Sequence, residues 1–183
     1  MLASALNAFW SQGFTSASMT DISRESGVGN GSIYAAYASK AGLFLLVLER
    51  YCASRVATVE ESMTAGRTPT EAVARLFAAV VDDCASHSPS WGCLMLNSMA
   101  ELGREWPDVR RLAASTTADM RSAVRARLDE DQVASPEERA VLASEIVVAS
   151  HGLIQYSLLD DDPEALRALS ESMLSRLEPA LAR

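Results

Sequence analysis

Residues 18–40 read SMTDISRESGVGNGSIYAAYASK, two short helical patterns separated by a glycine. Ser18 and Asp21 make a capping pattern, in which the serine oxygen and the acid satisfy exposed N–H groups in the first turn of a short helix running through Ile22 to Ser26. Gly27 ends that helix, because glycine takes a positive φ at little cost and lets the chain reverse tightly. Val28, Ile33 and Tyr37 then supply the apolar side of a second helix beginning near Asn30. Two short helices joined this way form a helix-turn-helix. Upstream, Leu2, Leu6, Phe9 and Trp10 recur on one face of a first helix that Gly13 stops, and that face is expected to pack on the pair.

The same region carries Gly13-Phe14, Met19-Thr20-Asp21-Ile22, Gly27-Val28, Gly31-Ser32-Ile33-Tyr34, Tyr37, Ser39-Lys40 and Leu43-Phe44 without a gap. In these residues the run from Leu2 to about Tyr51 resembles the DNA-binding domain of the TetR/AcrR family of one-component transcriptional regulators. Beyond it the chain matches only in being helical. The resemblance implies that Asn30, Gly31 and Ser32 form the base- and phosphate-contacting start of the recognition helix. It implies further that the Tyr34 hydroxyl meets the DNA backbone and that Thr20 and Lys40 contact phosphates, Lys40 at the start of the connecting helix. Several positions depart from the family pattern: Gly29 and Asn30 stand where Ser and a basic residue are common, and Ala35 and Ala36 where aromatic or His residues often follow. A basic arm usually precedes the first helix in the family; ahead of Leu2 the expectation is that it is absent or cut away.

The chain has 183 residues, of which 49% are hydrophobic, so it can bury a substantial core as one domain or as a small domain fused to a larger one. Its net charge is −8, which by itself argues against a polyanionic partner. The distribution qualifies this. In residues 1–50, Arg24, Lys40 and Arg50 balance Asp21, Glu25 and Glu49, so the whole excess of acid lies downstream. Three cysteines, Cys52, Cys84 and Cys93, make no even framework and no Cys-x-x-Cys unit, which favours free thiols in a reducing, cytoplasmic setting. No apolar run has the length of a membrane span and no signal peptide is recognisable, so a soluble intracellular protein without membrane association is expected.

Downstream, Ser39 caps a helix whose Leu43, Phe44, Val47, Leu48 and Tyr51 continue towards Gly66, about six or seven turns. Thr68-Pro69-Thr70-Glu71 is a capping box with proline at the first helical position, and Val73, Leu76, Phe77, Val80 and Val81 follow on one face until the break at Pro89. The run WGCLMLNSMAELG, Trp91 to Gly103, is apolar nearly all round and predicts a helix buried on most sides. After Trp106-Pro107, Val109, Leu112, Met120, Val124 and Leu128 mark another amphipathic helix. Ser135-Pro136-Glu137-Glu138 and Asp162-Pro163-Glu164 open the last two helices, which carry more apolar surface than one small core covers. A homodimer joined through them follows. Asp160-Asp161-Asp162 reads as a solvated turn and helix cap.

Trp91, Cys93, Met95, Met99, Met120 and Tyr156 are candidate walls of an apolar effector pocket, with Gly92 leaving space beside the Cys93 thiol. Ordinary core packing explains most of them equally well. The Gly-Cys-Leu-Met-Leu-Asn run resembles a subgroup of these regulators that includes cysteine sensors of electrophiles or oxidants, while a buried cysteine is more often an inert small hydrophobe. Cys84, His87 and Cys93 lack a fourth obvious donor for a metal, so neither metal nor cofactor is expected. His87 and His151 come with no nucleophile, P-loop or dinucleotide fingerprint, which disfavours an enzyme.

The sequence therefore predicts an all-α protein, with a three-helix N-terminal helix-turn-helix domain in residues 1–45 and a helical ligand-binding and dimerisation domain in residues 46–183. Its expected function is a ligand-responsive transcriptional regulator, a repressor released from a double-stranded DNA operator by a small apolar effector. The alternative is a dimeric small-molecule-binding or interaction module with weakened DNA binding.

Overall fold

The computed structural model describes residues 1–182, leaving the last residue of the expected second domain, Arg183, outside the described residues. Among them there are nine α-helices and no strand: α1 (Leu2–Ser16), α2 (Met19–Ser26), α3 (Asn30–Tyr37), α4 (Lys40–Ala65), α5 (Pro69–Ala85), α6 (Leu94–Leu102), α7 (Pro107–Glu130), α8 (Pro136–Tyr156) and α9 (Pro163–Leu181). Most boundaries are set by local chemistry. The Thr68 hydroxyl accepts from the Glu71 N–H, Ser135 and Glu138 close a full capping box, and Asp162 accepts from the Glu164 N–H, each just before a proline that lacks the N–H the first turn cannot use.

The chain divides into two compact bodies. Residues 1–53 and 93–114 form the first, and residues 54–92 with those from 115 onward form the second. The expected boundary at residues 45 and 46 falls inside α4, an unbroken helix that belongs to both bodies, and α6 with the head of α7 joins the helix-turn-helix. The physical reason lies in contacts remote in sequence. Phe14 packs its ring 4.8 Å from Trp106 and 5.0 Å from Phe44, and Phe9 meets Phe44 edge-on at 5.2 Å. Ile22, Ile33 and Leu43 complete this core, all buried.

In the second body α5 is the central helix, packing on α8 and α9. Val73, Leu76 and Phe77 are buried there with Val124, Leu128, Leu142, Ile146, Leu153, Leu166 and Leu181.

Two local expectations change. Gly13 breaks the first helix as predicted, with φ 78 and ψ 169, yet a further turn follows through Ser16. The helix expected from Trp91 to Gly103 is shorter: Cys93 is its N-cap, and Trp91 and Gly92 precede it. Gly92 has φ 66, and a Cβ there would lie 3.0 Å from the Leu158 side chain, so its neighbourhood is filled and offers no spare room. Nor is α6 enclosed all round, since Ala100 and Glu101 are exposed.

Candidate functional site

The turn between α2 and α3 is held by its own side chains. Ser18 accepts from the Asp21 N–H at 3.4 Å, Ser23 Oγ donates to the Val28 carbonyl at 2.7 Å, and the Val28 N–H donates to Ser26 Oγ at 3.3 Å, around Gly27 at φ 68. This clamps the start of α3 in place. Gly29 is the N-cap of α3 and supplies no side-chain cap, which leaves the first turn of the helix with donors that an anion can meet. Thr20 on α2 and Gly31, Ser32 and Tyr34 on α3 are exposed, together with Ala35 and Ala36. Asn30 is half-buried, and its Oδ1 is buried without a hydrogen-bond partner.

Lys40, the single lysine of the chain, sits with Nζ 4.7 Å above the Phe14 ring and 3.3 Å from the Thr15 carbonyl oxygen, to which it donates. It thereby ties the start of α4 to the turn after Gly13. On that turn the Phe14 and Thr15 N–H groups donate to Glu101 at 2.9 and 2.7 Å, so a carboxylate from α6 caps it where the backbone dipole favours a negative charge. Burial pushes the Glu101 carboxyl up, but hydrogen bonds from Thr15 and Phe14 and the charge of Lys40 outweigh it and hold the group below its usual range.

A Cβ on Gly13 would lie 2.9 Å from Glu101 Oε2, whereas one on Gly27 would meet nothing within 4 Å. Both glycines have positive φ. Gly27→Ala is therefore expected to cost the backbone penalty alone, about 1 kcal/mol, and Gly13→Ala about 2–3 kcal/mol because the carboxylate cap must also shift. Urea unfolding of the two variants checks this; equal losses would mean that the Glu101 cap is not tight.

The second body contains a cavity of about 40 Å³ with an apolar wall including Leu76, Met120, Val147 and Ile154. Arg55 and Asp83 line it too, as an ion pair at 2.9 Å, both half-buried. Thr58 and Ser150 turn their hydroxyl hydrogens to the Ser54 and Ile146 carbonyls of their own helices. His151 also lines the cavity, and its Nε2 is buried without a hydrogen-bond partner.

Residues 1–47 match the sequence profile of the bacterial regulatory proteins of the tetR family, and residues 69–173 match that of the tetracyclin repressor-like C-terminal domain. The chain belongs to the TetR family. It has the all-α, helix-turn-helix architecture expected from residues 18–40. Over 115 residues it is 30% identical to the HTH-type transcriptional repressor ComR of Escherichia coli, a match covering 62% of this chain and 55% of that protein. The match thus spans about half the length of this curated relative. A TetR regulator of Rhodobacter sphaeroides shares the fold at a TM-score of 0.83 with 19% identity, over 95% of both chains. A cysteine mutant of the TetR family regulator CifR, solved with 26-base-pair operator DNA, superposes at 0.80 with 24% identity over 95% of this chain and 93% of that one.

Within this TetR-family frame the expected pocket residues divide between the bodies. Cys93, Met95 and Met99 belong to the first, with Cys93 and Met95 buried, and Trp91, Met120 and Tyr156 to the second. Of the six, only Met120 lines the cavity of the second body. Trp91 stacks on His87 at 3.8 Å, and Tyr156 is 42% exposed. Among the described residues no group of three or more His, Cys, Asp or Glu converges as a metal site, and no single helix is long and apolar enough to cross a membrane. Sequence reasoning missed Arg55, Asp83 and His151. The acid and base that pair are 28 residues apart on separate helices, a spacing that signals nothing, and a lone histidine on an apolar helix carries no motif.

Burial pushes the His151 imidazole below its usual value of 6.5. The unfolded chain then binds the proton more readily than the folded one, so the neutral ring's contribution to stability is full above about pH 6.5 and lost as pH falls below it. Arg55 and Asp83, the charged groups of the same cavity, are paired with each other at 2.9 Å. Urea denaturation at about pH 7.5 and pH 5.5 is expected to show a larger loss on acidification for the native chain than for His151→Gln; equal losses would show that the ring is not held neutral.

Proposed function

We propose that this chain is a homodimeric repressor that a small apolar effector releases from a double-stranded DNA operator. The observation carrying the DNA-binding half is the exposed, uncapped start of α3 with Gly31, Ser32 and Tyr34 on it, clamped by the Ser18 and Ser23 hydrogen bonds. The body that bears it also carries no net charge: in residues 93–114 Arg104, Arg110 and Arg111 balance Glu101, Glu105 and Asp108, as the upstream acids and bases do. The −8 therefore lies in the other body. The curated relative's name as a repressor and CifR's capture on operator DNA support the same reading.

A dimer places two α3 helices in successive major grooves, so half-site separation fixes the productive geometry. The α8 surface fits a two-fold interface: Val141 and Val148 are 59% and 68% exposed and recur with Tyr156 at helical spacing. Effector control follows from differential binding. A ligand that prefers the cavity in the conformation with a wrong half-site separation lowers operator affinity by the ratio of its affinities for the two conformations. The unbroken α4, shared by both bodies, is the covalent route.

Footprinting and salt titration of two variants on the DNA upstream of the chain's own coding region test the docking. Lys40→Ala is expected to weaken all sequences alike and to flatten the salt dependence by about one phosphate, while Asn30→Ala relaxes preference at one or two base pairs at a cost of about 1–3 kcal/mol each. If both variants bind as the native chain does, α3 does not dock in this way.

A further inference from the structure

The cavity of the second body restricts the chemistry of what it can take. Its charged groups are already matched, Arg55 Nη1 to Asp83 Oδ1 at 2.9 Å, so an anion would meet Asp83 and a cation Arg55 at close range. An entering charge would be stripped of water without a free counter-charge to compensate. The lining hydroxyls of Thr58 and Ser150 have their hydrogens committed to carbonyls of their own helices. Among the lining residues, His151 Nε2 is the buried side-chain atom without a partner. Such an atom costs free energy until a donor or acceptor reaches it.

We infer that the effector is an uncharged, compact, largely hydrocarbon molecule carrying one hydroxyl or carbonyl oxygen, which hydrogen-bonds to His151 Nε2. This rests on reading the cavity as the effector site. A neutral imidazole nitrogen accepts from a hydroxyl in one tautomer and donates to a carbonyl in the other, so both oxygens fit the same atom. The void of about 40 Å³ accommodates a few heavy atoms. Met120, unbranched and with rotatable bonds along its length, and the half-buried Ile154 are the wall side chains whose rotation widens it to a single ring. The Arg55–Asp83 pair holds α4 to α5 across the same wall, so a ligand that spreads these helices acts directly on the connector.

The test uses the full chain without DNA and phenol, cyclohexanone, benzene, benzoate and benzylammonium as probes. Phenol and cyclohexanone are expected to bind, and benzoate and benzylammonium to bind at least about tenfold more weakly. Phenol should move the imidazole nitrogen resonances of His151 and leave those of His87, the only other histidine, in place. His151→Phe, which keeps a ring of similar size, should lower phenol affinity about tenfold and leave benzene affinity unchanged. If that variant does not fold, the resonance shift in the native chain decides. The inference is overturned if no probe binds at about 10 mM, a concentration at which even weak ligands register. It is equally overturned if benzoate binds as tightly as phenol, if phenol leaves the His151 resonances unmoved, or if a folded His151→Phe keeps full phenol affinity. Operator binding is scored separately. DNA binding without any probe bound sinks the ligand class alone, and probe binding without DNA binding sinks the repressor reading alone.

Discussion

Phe44→Ala is expected to destabilise the first body by about 3–5 kcal/mol, a large part of the stability of a small domain. Phe44 is fully buried at the junction of three elements, with ring centroids 5.2 Å from Phe9 on α1, 5.0 Å from Phe14 and 6.1 Å from Trp106 at the head of α7. Removing its ring leaves a cavity that aromatic neighbours held by distant helices cannot collapse to fill. The loss extends to Lys40, whose ammonium rests on the Phe14 ring, and so to the tie between α4 and the turn that Glu101 caps. Trp10 and Trp106 lie in this body and Trp91 in the other, so urea unfolding followed by tryptophan fluorescence in a Trp91→Phe background reports it. A loss below about 1 kcal/mol would show that the ring cluster is not the core of the body that carries the helix-turn-helix.

Ser32→Glu is expected to reduce operator affinity on the order of 100-fold without unfolding the chain. Ser32 is exposed in the first turn of α3, where a glutamate is compatible with the helix and even favoured by its dipole. Against DNA the same carboxylate meets phosphates and base acceptors, and Arg24 is already paired with Asp21 at 2.6 Å. Fluorescence anisotropy on labelled operator measures the loss, and circular dichroism melting confirms that the fold remains. Unchanged affinity would place α3 away from the groove.

The parts of this protein that were legible in its sequence are those set by neighbours along the chain. Ser18, Thr68, Ser135 and Asp162 cap helices where the pattern of cap and following proline or acid placed them, and Gly27 takes the left-handed turn that its position demanded. The start of α6 was misplaced because apolar composition extends a helix through Trp91 and Gly92, whereas the observed backbone at Gly92 packs against Leu158, far along the chain. The compact bodies cut across the expected boundary for a related reason: Glu101 reaches Phe14 and Thr15 across more than eighty residues, and no local pattern reports such a pairing. Lys40 is expected to contact a phosphate, and its ammonium also rests over the Phe14 ring and donates to the Thr15 carbonyl, partners that no local pattern announces. The cavity drew its polar residues, Arg55, Asp83 and His151, from three helices whose faces meet only in the fold.

On the proposed reading, the exposed start of α3 binds a specific operator as part of a dimer. The most direct test is sedimentation and anisotropy of the native chain with its own upstream DNA over a range of salt concentrations. The expected result is a dimer in the bound species, a linear fall of log affinity with log salt at a shallow slope of a few phosphates, and preference for one site over scrambled DNA by at least about a thousandfold. Monomers on the DNA, or equal affinity for operator and scrambled sequences at every salt concentration, would contradict it.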